Sequence, residues 1–548
     1  MKKYLYIPIY NKIFKKSLHI QIIEKYFYDL NNLKKKSIII ENLSFKKNNF
    51  IKKHNYVVKK KTIYKKQIIN ILKKNNLFYD KINCSIDYWL MNFLSILKIR
   101  YDKLEVLKKK YKNLHLPSFD FEKFSFDRTE DLMSCFRNDS FNNIYIFQEI
   151  AKTLRIPLIS YGNKILTPQF KSQKYNNNLK FYLLKFLLKI KKINLSSNLY
   201  NNNNFLLRFS FYYKKNILNI ADSTFKIPFA NSENYLKFDA KIKEKDVFDK
   251  VANKFIADFF PKILCSEEHL DRLFNLQKGI KTLSSSISLI SSEDYRVLAS
   301  FLGKKKVFTY QHGSHYGSLK YHLIDVFERS YSTFISWKKK ESFKLFFNKI
   351  LQYKKNRFLN IVKIKKSNIT LFTHIQYNNF LRCESDNINQ KSNSDLIFQS
   401  STFFNSLTNK LKKKLVIRNQ KQDYGWNYKK YYLKYSRKGN FTKFCNSNSS
   451  IESMIDSKIF VADYISTSFY EVLQLNIPFF IYFNFSDKLY RTKEENLFLL
   501  LKKNNIIFDT PKDCADFLNN HYDNIEKFWY SKKTQGVLKK VKFGFFKK

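Results

Sequence analysis

Val307-Phe-Thr-Tyr-Gln-His-Gly-Ser-His-Tyr-Gly317 is a short β-rich run that stops abruptly in a loop of glycine and histidine. The chain has 548 residues with only 9 Gly and 9 His. Three of each, Gly303, Gly313 and Gly317 with His312, His315 and His322, fall between positions 303 and 322. Glycine tolerates positive φ and close backbone approach, and histidine is the side chain suited to proton transfer near neutral pH. A strand that ends in both marks the first place to look for chemistry.

Immediately upstream, Ser288 to Ser291 reads as a strand and Asp294 to Leu302 as a helix. Gly303 stands where a helix C-terminus takes its left-handed residue, and Lys306 to Tyr310 is the next strand. That succession is a βαβ-type half-domain. Further upstream, Val247 to Phe260 is amphipathic and Pro261 breaks it. Downstream, Lys338 to Lys366 is Lys-rich and helix-like. Five short apolar runs then alternate with polar or helical stretches: Ile369 to Thr373, Lys414 to Arg418, Ile459 to Ala462, Pro478 to Tyr482 and Asn505 to Phe508. Strands alternating with helices predict a parallel sheet covered on both faces. Ligands of such sheets bind at the carboxyl ends of the strands, where the loop after Tyr310 lies.

The N-terminal part is less regular. Ser37 to Glu41 fits a buried strand, Tyr88 to Lys110 carries apolar residues at helical spacing, and Ile156 to Ser160 resembles a strand. Ser118 to Asn143 reads as loops and short helices. The Asn-rich patches at 176–178 and 201–204 read as loops or an insertion.

Composition limits the classes. Hydrophobic residues are 44% and aromatics 18%, enough for packed cores. The net charge of +56 fits a nucleic-acid or anionic-membrane partner, or mutational bias toward A/T-rich codons, which favour Lys, Asn, Ile, Phe and Tyr. Lysine is spread along the chain rather than gathered in one arm, which favours bias. The six Cys are scattered without metal-ligand spacing, so no zinc site or disulfide scaffold is expected, and a reducing cytoplasm is. No apolar run is long enough for a membrane span, and the N-terminus lacks the features of a signal peptide.

Three segments carry candidate chemistry. His312, in Gln311-His-Gly313, can act as a general base on a hydroxyl, or be a histidine in a surface loop. His315 and His322 lack a carboxylate cluster, so no metal is expected. Ala462-Asp-Tyr-Ile-Ser-Thr-Ser-Phe-Tyr-Glu471 ends a strand in hydroxyls that open a helix, a ready site for a diphosphate. Glu471 there can bind a ribose hydroxyl or close a capping box with Ser468. Arg418, at a strand end before Asp423-Tyr-Gly-Trp426, can clamp a phosphate or pair with a nearby carboxylate.

Together these stretches resemble a family of transferases from bacterial O-antigen and other surface-carbohydrate gene clusters. The likeness is carried by Tyr310 to Gly317, Glu328 with Phe334-Ile-Ser-Trp337, Arg418 with Asp423 to Trp426, and Asp463 to Glu471 with Ile477-Pro478. Asn505-Ile506, Pro511, Phe528-Trp529 and Tyr88-Trp89 extend it, so all four Trp lie in matching stretches. Ser314 replaces a second glycine, and Trp337-Lys-Lys replaces Trp-Gly-Trp. The chain is also similar to polyol-phosphate and capsule transferases of the GT-B fold, which place His-Gly after a strand in one lobe and a hydroxyl-rich segment in the other.

The resemblance implies an α/β fold of two Rossmann-like, GT-B-like lobes with an added mainly helical N-terminal part. The expected division is an acceptor-side lobe over 1–337, a linker over 338–366 and a donor lobe over 367–548. It implies His312 as base, with Arg418, Ser466, Thr467, Ser468 and Glu471 on the donor, and Gln311, Gly313, His315, Gly317 and Glu328 in support. The expected partners are a nucleotide-sugar or CDP-alcohol donor and a glycan or lipid-linked acceptor. No cofactor and no specific nucleic acid is expected. The expected location is the cytoplasm, with peripheral contact with an anionic membrane. Two rival functions are a basic nucleic-acid-binding protein and a non-catalytic scaffold of a glycan-assembly complex.

Overall fold

The computed structural model describes residues 3–5, 20–24, 38–41, 47–74, 79–122, 124–138, 140–166, 193–197, 209–212, 217–220, 238, 240–359, 366–373, 393–419, 444–445, 449–483 and 490–546. The Asn-rich patches and Asp423 to Trp426 lie outside them. The chain divides into two compact units. One comprises Met1–Tyr310, Leu323–Phe334 and Tyr377–Asp386; the other comprises Gln311–His322, Ile335–Gln376 and Asn387–Lys548.

The second unit is built on five strands, all parallel: Leu415–Arg418, Ile369–Phe372, Ile459–Ala462, Phe479–Tyr482 and Ile507–Phe508, in that spatial order. These are the five apolar runs read from the sequence. Ile459–Ala462 and Phe479–Tyr482 are buried at every position, because a parallel strand covered on both faces has no side left for polar residues. In chain order the arrangement is 2-1-3-4-5, so connections leave in opposite directions on either side of Ile369–Phe372 and Ile459–Ala462. In open sheets of this kind ligands bind beside such a switch point, at the strands' carboxyl ends. Residues 338–359 form two helices, Lys340–Phe346 and Asn348–Leu359. Phe343 and Phe347 pack edge-on against Phe546, at 5.4 and 5.5 Å between ring centroids.

The first unit holds two sheets. The strands read at Ser37–Glu41 and Ile156–Ser160 are present as Ile38–Glu41 and Leu158–Leu166, the two edges of a sheet of five parallel strands in the order Ile38–Glu41, Ile20–Glu24, Lys3–Leu5, Leu114–Phe121 and Leu158–Leu166. In the other sheet, Val307–Tyr310, Ile280–Ser285, Ile193–Ser197 and Ile217–Ile220 run parallel, and Phe209–Tyr212 closes the edge antiparallel. Helix Asn83–Lys110 fills the core, with Trp89 stacked on Phe93 at 4.9 Å and its indole N–H donated to the Phe259 carbonyl at 2.7 Å. Beside it, buried Arg296 bridges Glu130 at 2.5 Å and Glu293 at 3.2 Å.

The Ser288–Ser291 strand expectation is corrected: those residues form a helical turn, and the strand is Ile280–Ser285. Ser285 Oγ accepts the N–H groups of Ile287 and Ser288, at 3.1 and 2.8 Å, which turns the chain out of the strand. Ser118 also lies in a strand, Leu114–Phe121, rather than a loop. Gly303 ends helix Glu293–Leu302 at φ +75, but with ψ 160 it is extended rather than left-handed helical. Among the described residues no helix is long and apolar enough to cross a membrane.

Candidate functional site

The loop after Val307–Tyr310 is held by its own first residue. Gln311 donates its backbone N–H to the Ile335 carbonyl (3.0 Å) and its side-chain N–H to the Gly313 carbonyl (3.0 Å). Trp337 answers with two donors: its backbone N–H to Gln311 Oε1 at 3.1 Å and its indole N–H to the Gln311 carbonyl at 2.7 Å. Gln311 and Trp337 are both buried, so these bonds replace water that neither group can reach. Gln311 therefore fixes the loop.

His312 follows, partly exposed, with Nε2 hydrogen-bonded to the Tyr316 hydroxyl at 3.0 Å. Tyr316 lies close over Gly313: a Cβ there would come within 3.3 Å of its Cε2. A side chain at 313 would press on the ring that meets His312. Gly317 has φ +71, the left-handed region where glycine is favoured, and lets the chain turn out of the loop. Ser318 then accepts the Arg491 N–H on its carbonyl at 2.9 Å, and Leu319 bridges Tyr490.

The hydroxyl-rich segment opens a helix as read from the sequence. Ser466 is the N-cap of Thr467–Leu475. Its Oγ accepts the Ser468 N–H at 3.3 Å and lies 2.6 Å from Ser468 Oγ. With Ser466 as cap, the third helical residue is Phe469, so Glu471 closes no capping box. Burial pushes the Glu471 carboxyl up to about 7, while Arg418 pulls it down. Arg418 ends its strand opposite Phe372, and Phe372 lies opposite Ala462 in the next. Arg418 and the start of the hydroxyl segment thus flank the switch point. The guanidinium donates to Ser453 Oγ at 2.7 Å and reaches Cys445 Sγ at 3.6 Å.

His315 joins the two segments. Its Nε2 hydrogen-bonds the Tyr464 hydroxyl at 2.6 Å, across 149 positions of sequence. Trp337, which holds Gln311 in place, meets the helix itself, its ring 5.4 Å from that of Tyr470. Gln311, His312, Gly313, His315, Gly317, Arg418, Ser466, Thr467, Ser468 and Glu471 all belong to the second unit. Glu328 does not. It is buried in helix Leu323–Tyr331 of the first unit, where its charge raises the Tyr295 hydroxyl pKa further, after burial and Cys84.

Residues that sequence reasoning passed over are Tyr316, Tyr464, Ser453 and Cys445. Tyr316 and Tyr464 lay inside the quoted stretches, but nothing in one dimension pairs them with His312 and His315. Among the described residues no three His, Cys, Asp or Glu side chains converge as metal ligands.

The family model of the LIC12162 family transferases matches residues 83–547, and the chain belongs to that family. Protein Ycf2 of Physcomitrium patens is 25% identical over 416 residues, 69% of this chain. The match spans 17% of the length of that relative. The solved structure of a variant of the wall teichoic acid polymerase TagF aligns over 82% of this chain and 92% of its own, with 12% identity and a TM-score of 0.28. A likeness at that score carries no weight for the site.

Proposed function

We propose that the chain is a GT-B-like transferase of surface-glycan assembly. It would move a sugar or polyol-phosphate from a nucleotide-activated donor to a glycan or lipid-linked acceptor. The observation that carries this reading is the His315–Tyr464 hydrogen bond. It holds the histidine loop against the hydroxyl-capped helix at the switch point of the parallel sheet, the position where such sheets take nucleotides.

In this reading the donor's phosphates lie on the N–H groups of Thr467 and Ser468 at the helix start, with Arg418 on the same anion. Glu471 faces the ribose and, near neutral pH, carries a proton part of the time. His312 Nε2 removes the acceptor hydroxyl's proton, and Tyr316 Oη marks where that hydroxyl sits. The acceptor oxygen forms the new bond as the donor's bond to the nucleotide breaks. The nucleotide leaves with the electron pair, stabilised by Arg418 and the helix start. Gln311, Gly313 and Gly317 shape the loop. On this reading no cofactor is needed.

A thermal-shift screen of the full chain against nucleotide sugars and CDP-alcohols tests donor binding, since a ligand bound only by the native state raises the transition. Once a donor is found, His312→Ala should keep the donor-induced shift and lose transfer by about 10²–10⁴-fold. Wild-type turnover in that variant removes His312 from the chemistry. No response to any nucleotide overturns the donor assignment.

A further inference from the structure

Phe444 and Cys445 come back alongside the outer strand Leu415–Arg418 of the second unit. Phe444 bridges Ile417 in parallel, and Cys445 donates its backbone N–H to the Ile417 carbonyl at 2.8 Å. Helix Ser450–Ile455 comes next, capped by Ser449, whose Oγ accepts the Glu452 N–H at 3.5 Å. Serines stand at 449, 453 and 457, an interval that keeps them along one helical face.

That face meets Arg418. Ser453 Oγ donates its proton to the Ser449 carbonyl at 3.2 Å and accepts an N–H of Arg418 Nη1 at 2.7 Å. Cys445 Sγ stands 3.1 Å from the same oxygen and 3.6 Å from Nη1. On the neighbouring strand the Phe372 ring lies 5.6 Å from the guanidinium carbon. Behind Ser453, Ser457 Oγ lies 2.6 Å from the Ser453 carbonyl and 2.6 Å from Thr370 Oγ1 in strand Ile369–Phe372. Ser453, Ser457 and Thr370 are all buried, so the group that holds the arginine is itself held.

Solvation alone does not call for this arrangement. Arg418 is only half-buried, and a long side chain loses rotamer freedom when it is held in one place. Ordering it in the native fold means that a ligand does not have to. The acceptor on Nη1 is also neutral. A carboxylate at 453 would fix the arginine and cancel its charge, whereas a hydroxyl fixes its direction and leaves the charge to act. That charge reaches helix Thr467–Leu475, where burial raises the Glu471 carboxyl and Arg418 draws it back down.

We propose that Ser453 is a positioning residue of the donor site, seating the Arg418 guanidinium beside the switch point so that it meets the donor's diphosphate already in place. The inference rests on the reading of Arg418 as a ligand of the donor's phosphates and adds the group that fixes it there. Ser453 touches no substrate; it acts only through Arg418.

The test is isothermal titration of the full chain with inorganic pyrophosphate, the part common to nucleoside diphosphate sugars and CDP-alcohols. Arg418→Ala should weaken binding on the order of a hundredfold, the loss of hydrogen bonds to a charged group. Ser453→Ala should weaken it on the order of tenfold, because the arginine must then be ordered by the ligand. Ser453→Thr keeps the hydroxyl and its bond to the carbonyl four residues back, and should restore the wild-type affinity. In the Arg418→Ala background Ser453→Ala should add nothing, since a residue that acts only through another is silent once that other is gone.

The matched control is Ser400→Ala, which removes another buried hydroxyl of the second unit, one 3.3 Å from the Tyr482 hydroxyl. It should lower the melting temperature as Ser453→Ala does and leave the affinity for pyrophosphate unchanged. Wild-type affinity in Ser453→Ala would make its bond to Arg418 structural only and would overturn the proposal. So would additive losses in the double variant, which would mean that Ser453 acts without Arg418, and so would a Thr variant as weak as the Ala variant. All three outcomes leave the donor reading standing. If Arg418→Ala binds pyrophosphate as the wild type does, or the wild type binds none, the donor reading of Arg418 fails and the positioning role fails with it.

Discussion

Replacing Glu471 with Gln tests the electrostatics of the donor-side helix without any knowledge of the substrate. The folded protein holds this carboxyl's proton at about 7 against an ordinary 4.5, because burial outweighs the attraction of Arg418. At about 1.4 kcal/mol per pH unit, that displacement sets a ceiling of about 3 kcal/mol on what the ionised form costs. Residual solvent contact of the half-buried side chain and the loss of a partner for Arg418 reduce it, leaving roughly 1–2 kcal/mol. The sign follows from proton binding. Between 4.5 and about 7 the native state holds more of this proton than the unfolded chain, so its contribution to stability falls as pH rises through that window, then stays level. Gln mimics the protonated form at every pH. Variant and wild type should therefore melt together near pH 5, and the variant should melt higher at pH 8. For a unit of about two hundred residues the difference at pH 8 is about 2–8 °C. Differential scanning calorimetry at the two pH values reads it. A variant that melts lower at pH 8 would refute the reasoning, since it would mean that Arg418 wins over burial and Glu471 is an ordinary ion-pair carboxylate.

Other expectations follow from single contacts. Arg296→Ala leaves Glu130 and Glu293 facing each other in the core and should destabilise the first unit by about 3–5 kcal/mol, visible as a large drop in its melting transition. Trp337→Phe removes the indole N–H from the Gln311 carbonyl and should cost about 1–3 kcal/mol; hydrogen exchange at residues 311–318 should rise more than elsewhere in the second unit. Gly317→Ala puts a Cβ at φ +71 and should cost about 1–2 kcal/mol, read as a lower melting temperature.

The second unit was legible because its strands are covered on both faces. Ile459–Ala462 and Phe479–Tyr482 bury every residue, so each appears in the sequence as an unbroken apolar run between polar segments. The first unit offered less. Ser288–Ser291 has the same look, an apolar pair between serines, and forms a helical turn instead. The deciding group is Ser285 Oγ, which captures the next two free N–H groups, and no periodicity reports a side chain bonding to the backbone. Strands as short as Lys3–Leu5 in a chain rich in Ile, Lys and Tyr stand out no better.

The candidate site divides along the same line between local and distant information. Glycine at 313 and 317, a hydroxyl cap at 466 and an arginine at a strand's end are local facts, each required by the backbone within a few residues. What turns them into one site is the 2.6 Å contact of His315 with Tyr464, and that depends on how a loop packs 149 positions away. The lysines obey the same rule. In sequence they form an undifferentiated excess that composition alone explains. Only the fold turns Lys53, Lys60, Lys61 and Lys65 of helix Lys47–Lys74 toward carboxylates and leaves Lys52, Lys59 and Lys66 exposed. A residue type repeated at helical spacing marks one face of a helix equally well whether that face turns inward or outward. Burial decides between the two, and burial is set by the neighbours.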